Sequence, residues 1–231
     1  MLTRRRTVIT LGIFALTLIL YIGINILLAA RRAATFPKYW QDQAAQPVPA
    51  NAVRLIAMGD SIMEAIGAAH PEAGIAGRIA NYLGMKTSRP VHVTNVSVGG
   101  ATTREIIDEQ LPQVDLNQAD LIILATATDM ERRVPLDTYE TNLRALLWAL
   151  PPDKTIVSDL PLEPGRDSYQ AVLQRLADER GIPRADFAKV FNGEGRRLDI
   201  FSWLFPHLNS KGYYYWFTAF QPEVDKWIDS K

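Results

Sequence analysis

Residues 53–64 read VRLIAMGDSIME, and this stretch decides the fold. Val53 to Met58 is apolar apart from Arg54, too short for a core helix, and stopped by Gly59; it reads as a buried strand. Gly59-Asp60-Ser61 then turns the chain, and Ile62, Met63 and Glu64, with the small residues up to Gly67, start the next element. A serine on a tight strand-to-helix turn exposes its hydroxyl at the edge of a sheet. Its own backbone N–H points where an oxyanion would sit, an arrangement that acyl transfer requires. The same tripeptide also serves as an ordinary Asp/Ser helix cap, so the rest of the chain must decide.

Moving outward, the same unit recurs. Val91–Val96, Leu121–Thr126 and Thr155–Ser158 read as further buried strands, with a weaker fifth near Ala185–Phe187. Helical spacing of apolar residues appears over Ala73–Leu83, Thr103–Leu111, Leu136–Leu150 and Ser168–Arg180, the last stopped by Gly181 and Pro183. An aromatic helix begins near Ser210. Alternation of this kind predicts an α/β domain with a parallel sheet of about five strands covered by helices. In such a sheet ligands bind beyond the carboxyl ends of the strands, so the residues after each strand matter most.

Those residues carry chemistry. After the second strand comes Asn95-Val96-Ser97-Val98-Gly99-Gly100-Ala101-Thr102-Thr103, where glycine lets the backbone approach a substrate and offers an N–H donor. A plain turn and helix cap is the competing reading. Thr126-Ala127-Thr128-Asp129 follows the third strand. Just before the last helix lies His207-Leu208-Asn209-Ser210-Lys211-Gly212-Tyr213, whose histidine is placed to act as a general base.

With these blocks in this order, the chain from Val53 to its C-terminus resembles the GDSL/SGNH hydrolases. Gly59-Asp60-Ser61 matches the first block of that family, the Asn95–Thr103 run the second, and His207, Asn209, Gly212 and Tyr213 the last. The resemblance implies a flavodoxin-like three-layer α/β/α sandwich, Ser61 and His207 as the catalytic pair, and an oxyanion hole at Ser61, Gly100 and Thr128. It also implies a serine esterase or deacetylase that forms an acyl-enzyme, with no cofactor. Two positions depart from the pattern. Where the family has Gly-x-Asn-Asp, the chain has Thr126-Ala127-Thr128-Asp129, so a threonine hydroxyl stands in place of an amide donor. Three residues before the histidine, the orienting aspartate is replaced by Leu204. Either a backbone carbonyl orients the imidazole, leaving a Ser61/His207 dyad, or Asp199 reaches in from eight residues upstream. The alternative function is a catalytically silent domain that binds glycan or lipid in the retained cleft.

Thr7 to Ala30 is a run of 24 residues without a charge, flanked by Arg4-Arg5-Arg6 and by Arg31-Arg32. At about 1.5 Å per residue it exceeds the roughly 30 Å hydrocarbon core of a bilayer. A cleaved signal peptide is the competing reading; its apolar run is usually shorter. The expected organisation is a basic cytoplasmic N-terminus over 1–6, a transmembrane helix over 7–30, a tether over 31–52 and a hydrolase domain over 53–231. The slight excess of positive charge on the N-terminal side places the catalytic domain outside the cell membrane, as a single-pass protein. Phe36, Tyr39 and Trp40 are expected at the headgroup level, with a short interfacial helix as an alternative for this part of the tether. The expected partners are the bilayer, through residues 7–30, and an ester substrate of the cell envelope, either an acetylated glycan or a lipid.

Composition narrows the alternatives. Twenty-five basic residues balance 25 acidic ones, so no global field favours nucleic acid. With no cysteine there is neither disulfide nor thiol nucleophile, and the three histidines, His70, His92 and His207, are far apart in sequence; no metal site is predicted. Glu64, His70 and Arg104 are candidates for the site opening or are simply solvated. The aromatic cluster from Phe201 to Phe220 reads either as an acyl or sugar platform or as the packed face of the last helix.

Overall fold

The computed structural model describes residues 2–161, 165–194 and 198–231; Met1, at the head of the basic segment, lies outside the described residues. Five parallel strands form one sheet: β1 (Val53–Gly59), β2 (Val91–Asn95), β3 (Leu121–Ala125), β4 (Thr155–Ser158) and β5 (Arg184–Ala185), in the order β2-β1-β3-β4-β5. Every residue of β3 and β4 is buried, which is why these strands read as unbroken apolar runs rather than alternating ones. The order reverses direction between β1 and β3, so the carboxyl ends of those two strands form the crevice. This is the flavodoxin-like sandwich that the resemblance implies.

The helices are α1 (Leu2–Ala33), α2 (Phe36–Ala44), α3 (Ser61–Glu64), α4 (Ile75–Thr87), α5 (Thr103–Glu105), α6 (Thr128–Glu131), α7 (Leu136–Ala149), α8 (Arg166–Arg180), α9 (Phe187–Glu194) and α10 (Ser210–Asp229). α10 packs against α4 and α9 and against β4 and β5, whereas α7 pairs with α8 and with α5. The expected helix over Thr103–Leu111 is instead three short pieces, α5 followed by a π-turn over Ile106–Gln110 and a tight turn over Leu111–Gln113. The wide turn brings the buried Gln110 amide onto β1, where it accepts from Gly59 N–H (3.0 Å) and donates to Gly59 C=O (2.8 Å). The weak fifth strand ends at Ala185; Phe187 opens α9 instead, a helix that the periodicity did not predict.

α1 is a helix long and apolar enough to cross a membrane. The segment after it differs from the expected tether. Thr35 precedes α2, which begins with Phe36-Pro37, proline being well suited to a first helical turn. α2 packs on the edge strand β2, burying Phe36 and Trp40 at 1 % and 3 % exposure. These two rings, four residues apart on one helical face, enter the core of the domain rather than the headgroup layer. Trp40 Nε1–H also donates to Glu64 C=O at the end of α3 (3.3 Å). On α1 itself, Tyr21 meets Trp203 edge to face, with ring centroids 5.8 Å apart.

Candidate active site

Ser61 opens α3 immediately beyond β1. Gly59 sits at φ +147°, and a Cβ there would fall on the Ala125 carbonyl of β3, so only glycine lets β1 run this close to its neighbour before the turn. Asp60 caps α3, its Oδ1 accepting from Ile62 N–H at 3.0 Å. Its Oδ2 gathers the loop after β3, accepting from Ala127 N–H (2.7 Å), Thr128 N–H (3.0 Å), Thr128 Oγ1 (2.8 Å) and Thr126 Oγ1 (3.1 Å). This buried carboxylate therefore ties the serine turn to the loop carrying the third motif.

His207 arrives on the loop between α9 and α10. The turn Leu204–His207 is closed by His207 N–H donating to Leu204 C=O (2.9 Å), and the same carbonyl lies 2.8 Å from Nδ1 of the ring. A carbonyl can only accept, so Nδ1 carries the proton and Nε2 presents its lone pair. Nε2 lies 3.0 Å from Ser61 Oγ. The loop is braced on both sides of the histidine. Ser202 N–H donates to His207 C=O (2.9 Å), and the Asn209 amide donates to the carbonyls of Asp199 (2.7 Å) and Phe201 (3.0 Å) while capping α10. Asp199 is exposed, its carboxylate 2.5 Å from Lys211 Nζ, and the backbone carbonyl occupies the orienting position beside the ring. The structure brings Ser61 and His207 together. His70 is bonded to Glu72 (3.0 Å) and His92 lies on the edge strand β2.

The second motif forms a turn in which Ala101 N–H donates to Val98 C=O (3.0 Å), with Gly100 at φ +80° in its third position, a conformation that favours glycine. Among the described residues, the backbone N–H groups of Ser61 and Gly100 make no hydrogen bond and are available to an oxyanion. Thr128 behaves differently from its expected role. Its hydroxyl is buried and its single proton is given to Asp60, so this side chain does not offer a donor to a substrate oxygen. Asp129 beside it holds the start of α5, accepting from Thr103 N–H (2.7 Å) and Oγ1 (3.0 Å), with burial raising its pKa against these bonds.

Glu64, which the sequence offers either for the site opening or as a solvated charge, is neither; it is buried, at 4 % exposure, with its carboxylate against Gly99. Burial raises its pKa, the Gly99 N–H partly offsets this, and the Asp60 charge adds to the rise. Arg104 points outward to Asp108 (2.7 Å). Two supports of the site escaped the sequence reading, Gln110 and Trp40. An amide and an aromatic at those spacings carry no motif, although Phe36 and Trp40 at i and i+4 are the signal of a packed helix face.

Beside Ser61 and His207 opens a cavity of about 450 Å³. Its walls are mostly apolar and include Phe187, Phe191, Phe201, Phe205 and Trp216, with Glu131 at its polar side. The aromatic cluster divides between the two readings. Trp216 stacks on Phe187 (4.1 Å between centroids) and donates its N–H to Ser158 Oγ (2.7 Å), forming packed structure that is also cavity wall. Phe205, in contrast, is 75 % exposed at the rim.

Residues 57–215 match the profile of the GDSL-like lipase/acylhydrolase family. Similar solved structures include LAE5, an alpha/beta hydrolase enzyme from the metagenome of Lake Arreo, Spain, at 19 % identity and a TM-score of 0.63, covering 77 % of this chain and 97 % of that one. A variant of Axe2, an acetyl xylan esterase from Geobacillus stearothermophilus, aligns at 22 % identity with a TM-score of 0.61, over 74 % of this chain and 94 % of the other. No curated protein matches the chain. The fold of these neighbours is the fold described above, and the profile spans more than half of the sequence, so the chain belongs to the GDSL-like lipase/acylhydrolase family, whose chemistry is carboxylic ester hydrolysis.

Proposed function

We propose that this chain is a membrane-anchored serine esterase or deacetylase that works through an acyl-enzyme with a Ser61/His207 dyad. The observation that carries the reading is the 3.0 Å contact between Ser61 Oγ and His207 Nε2, with the ring held in the required tautomer by the Leu204 carbonyl. His207 Nε2 takes the hydroxyl proton as Ser61 Oγ attacks the ester carbonyl, and the backbone N–H groups of Ser61 and Gly100 receive the negative charge on the carbonyl oxygen. The C–O bond to the alcohol then breaks, and His207 returns the proton to the departing oxygen. Water, deprotonated by the same nitrogen, attacks the acyl-Ser61 ester, and collapse of the second tetrahedral intermediate frees the acid and restores the serine. A neutral carbonyl supports the imidazolium less than a carboxylate would, so slower turnover than that of a full triad is expected.

The substrate of this reading is an acylated glycan or lipid of the cell envelope, with the N-terminus cytoplasmic and the domain outside. The apolar cavity supports an acyl group or the face of a sugar ring at the serine. The test uses the full chain in detergent, labelled with a fluorophosphonate probe and assayed on p-nitrophenyl esters of increasing acyl length, with Ser61→Ala alongside. Labelling and hydrolysis that vanish in the variant support the proposal. If labelling does not exceed the variant, the retained cleft is a binding site, and glycan or lipid binding becomes the function to measure.

A further inference from the structure

The backbone N–H groups of Ser61 and Gly100 are the two donors that the proposed mechanism assigns to the oxyanion, and the Thr128 hydroxyl is committed to Asp60. We infer that the guanidinium of Arg132 is the third donor to that oxyanion. The inference rests on reading Ser61 as the nucleophile.

Arg132 ends α6, four residues after Thr128, and its N–H donates to Thr128 C=O at 2.8 Å; side chains at this spacing share one helical face. Its Nη2 stands 3.2 Å from the position a Cβ would take on Gly100, so the guanidinium lies over the backbone whose N–H is open to a substrate oxygen. The residue before Arg132, Glu131, lines the cavity shared with Ser61 and His207, so the end of α6 borders that cavity.

The guanidinium is also held from behind. Its Nη1 is 3.7 Å from Glu105 Oε2, and that carboxylate is itself fixed by Thr102 N–H (2.7 Å) and Thr102 Oγ1 (2.8 Å) in the capping box of α5. Five N–H donors sit on the fork, and the contact with Glu105 engages one edge, leaving others for the substrate. Arg132 is 56 % exposed along its side chain, open enough for an incoming carbonyl to reach it. A guanidinium offers a charge-assisted bond, stronger than the neutral bond a hydroxyl would give. The arrangement would therefore restore from position 132 what the sequence lacks at 128.

The experiment compares wild type with Arg132→Gln and Arg132→Lys, as the full chain in detergent, on p-nitrophenyl acetate and on the corresponding thionoester. This substrate is neutral, so recognition of an anionic group on a natural substrate contributes nothing. The expected result for Arg132→Gln is a fall of about 10²-fold in both kcat and kcat/KM with KM unchanged. The preference for oxoester over thionoester should fall with it, because sulfur accepts these bonds poorly, and Arg132→Lys should lie between the two. A change in stability alone would not move the oxoester-to-thionoester ratio. Equal losses on both esters, an effect confined to KM, or no effect would overturn the assignment. Ser61→Ala in the same series separates the two claims: activity surviving that variant refutes the nucleophile, whatever Arg132 does.

Discussion

Helix α2, which follows the long apolar helix, lies outside the matched profile, yet the structure makes it part of the domain, and this can be tested by where the chain is cut. Consider two soluble forms, residues 34–231 and 51–231; the second lacks α2. Phe36 and Trp40 are almost completely buried. An aromatic ring buries roughly 150–250 Å², which at about 25 cal/mol per Å² is ~4–6 kcal/mol each. Large-to-small substitution at buried aromatics gives a smaller figure, ~3–5 kcal/mol each. The measured figure is the safer one, because area sums use an extended unfolded chain, so removing both rings should cost ~6–10 kcal/mol. Loss of the Trp40 bond to Glu64 C=O adds about 1 kcal/mol. A domain of this size has ~5–15 kcal/mol in total. The shorter form should therefore unfold at far lower urea, or show no cooperative transition, while the longer form unfolds cooperatively. Tryptophan fluorescence against urea reads both. Superimposable curves would refute the reasoning and return residues 36–44 to the role of a free tether.

Other outcomes follow from the site. Leu204→Ala should leave kcat close to wild type in an ester assay, because the backbone carbonyl, not the side chain, holds His207 Nδ1; Asp199→Asn should do the same, since its carboxylate pairs with Lys211. A large loss with Asp199→Asn would put the carboxylate back in the mechanism. Asp60→Ala leaves five donors without their acceptor in a buried turn, and at about 1–3 kcal/mol for each uncompensated group a loss of at least ~3 kcal/mol in urea unfolding is expected after relaxation. Glu64 gives a pH dependence. Its folded pKa is raised, so the folded chain keeps a proton that the unfolded chain releases above about pH 4.3. The favourable contribution is complete below that pH and declines as pH rises through the folded value. Glu64→Gln should therefore gain stability relative to wild type as pH rises above about 4.3, and a difference that stays constant in paired urea titrations would rule this out.

Much of the fold could be read locally because a buried parallel strand needs a short apolar run and nothing else. β1, β3 and β4 were visible for that reason, and Ser61 followed from the glycine turn after β1. β5 was visible only weakly and α9 not at all, since two residues are too few to establish a pattern and Phe187 suits a strand or a helix equally. The sequence alone also determined that a long apolar helix precedes the domain and that cysteine chemistry is absent.

Tertiary structure decided matters of partnership. The Thr128 hydroxyl can donate to whichever acceptor lies nearest, and only packing of the third loop on Asp60 directs it away from the substrate. The orienting group for His207 is a main-chain carbonyl, which every residue possesses, so no residue type announces it; the turn from Leu204 to His207 creates it. Phe36 and Trp40 satisfy the same preference at a headgroup layer as in a protein core, and the choice rests on the edge strand β2 offering a surface for α2. In each case the sequence supplies a group able to serve several partners, and the physical reason for the outcome is proximity across long separations in the chain.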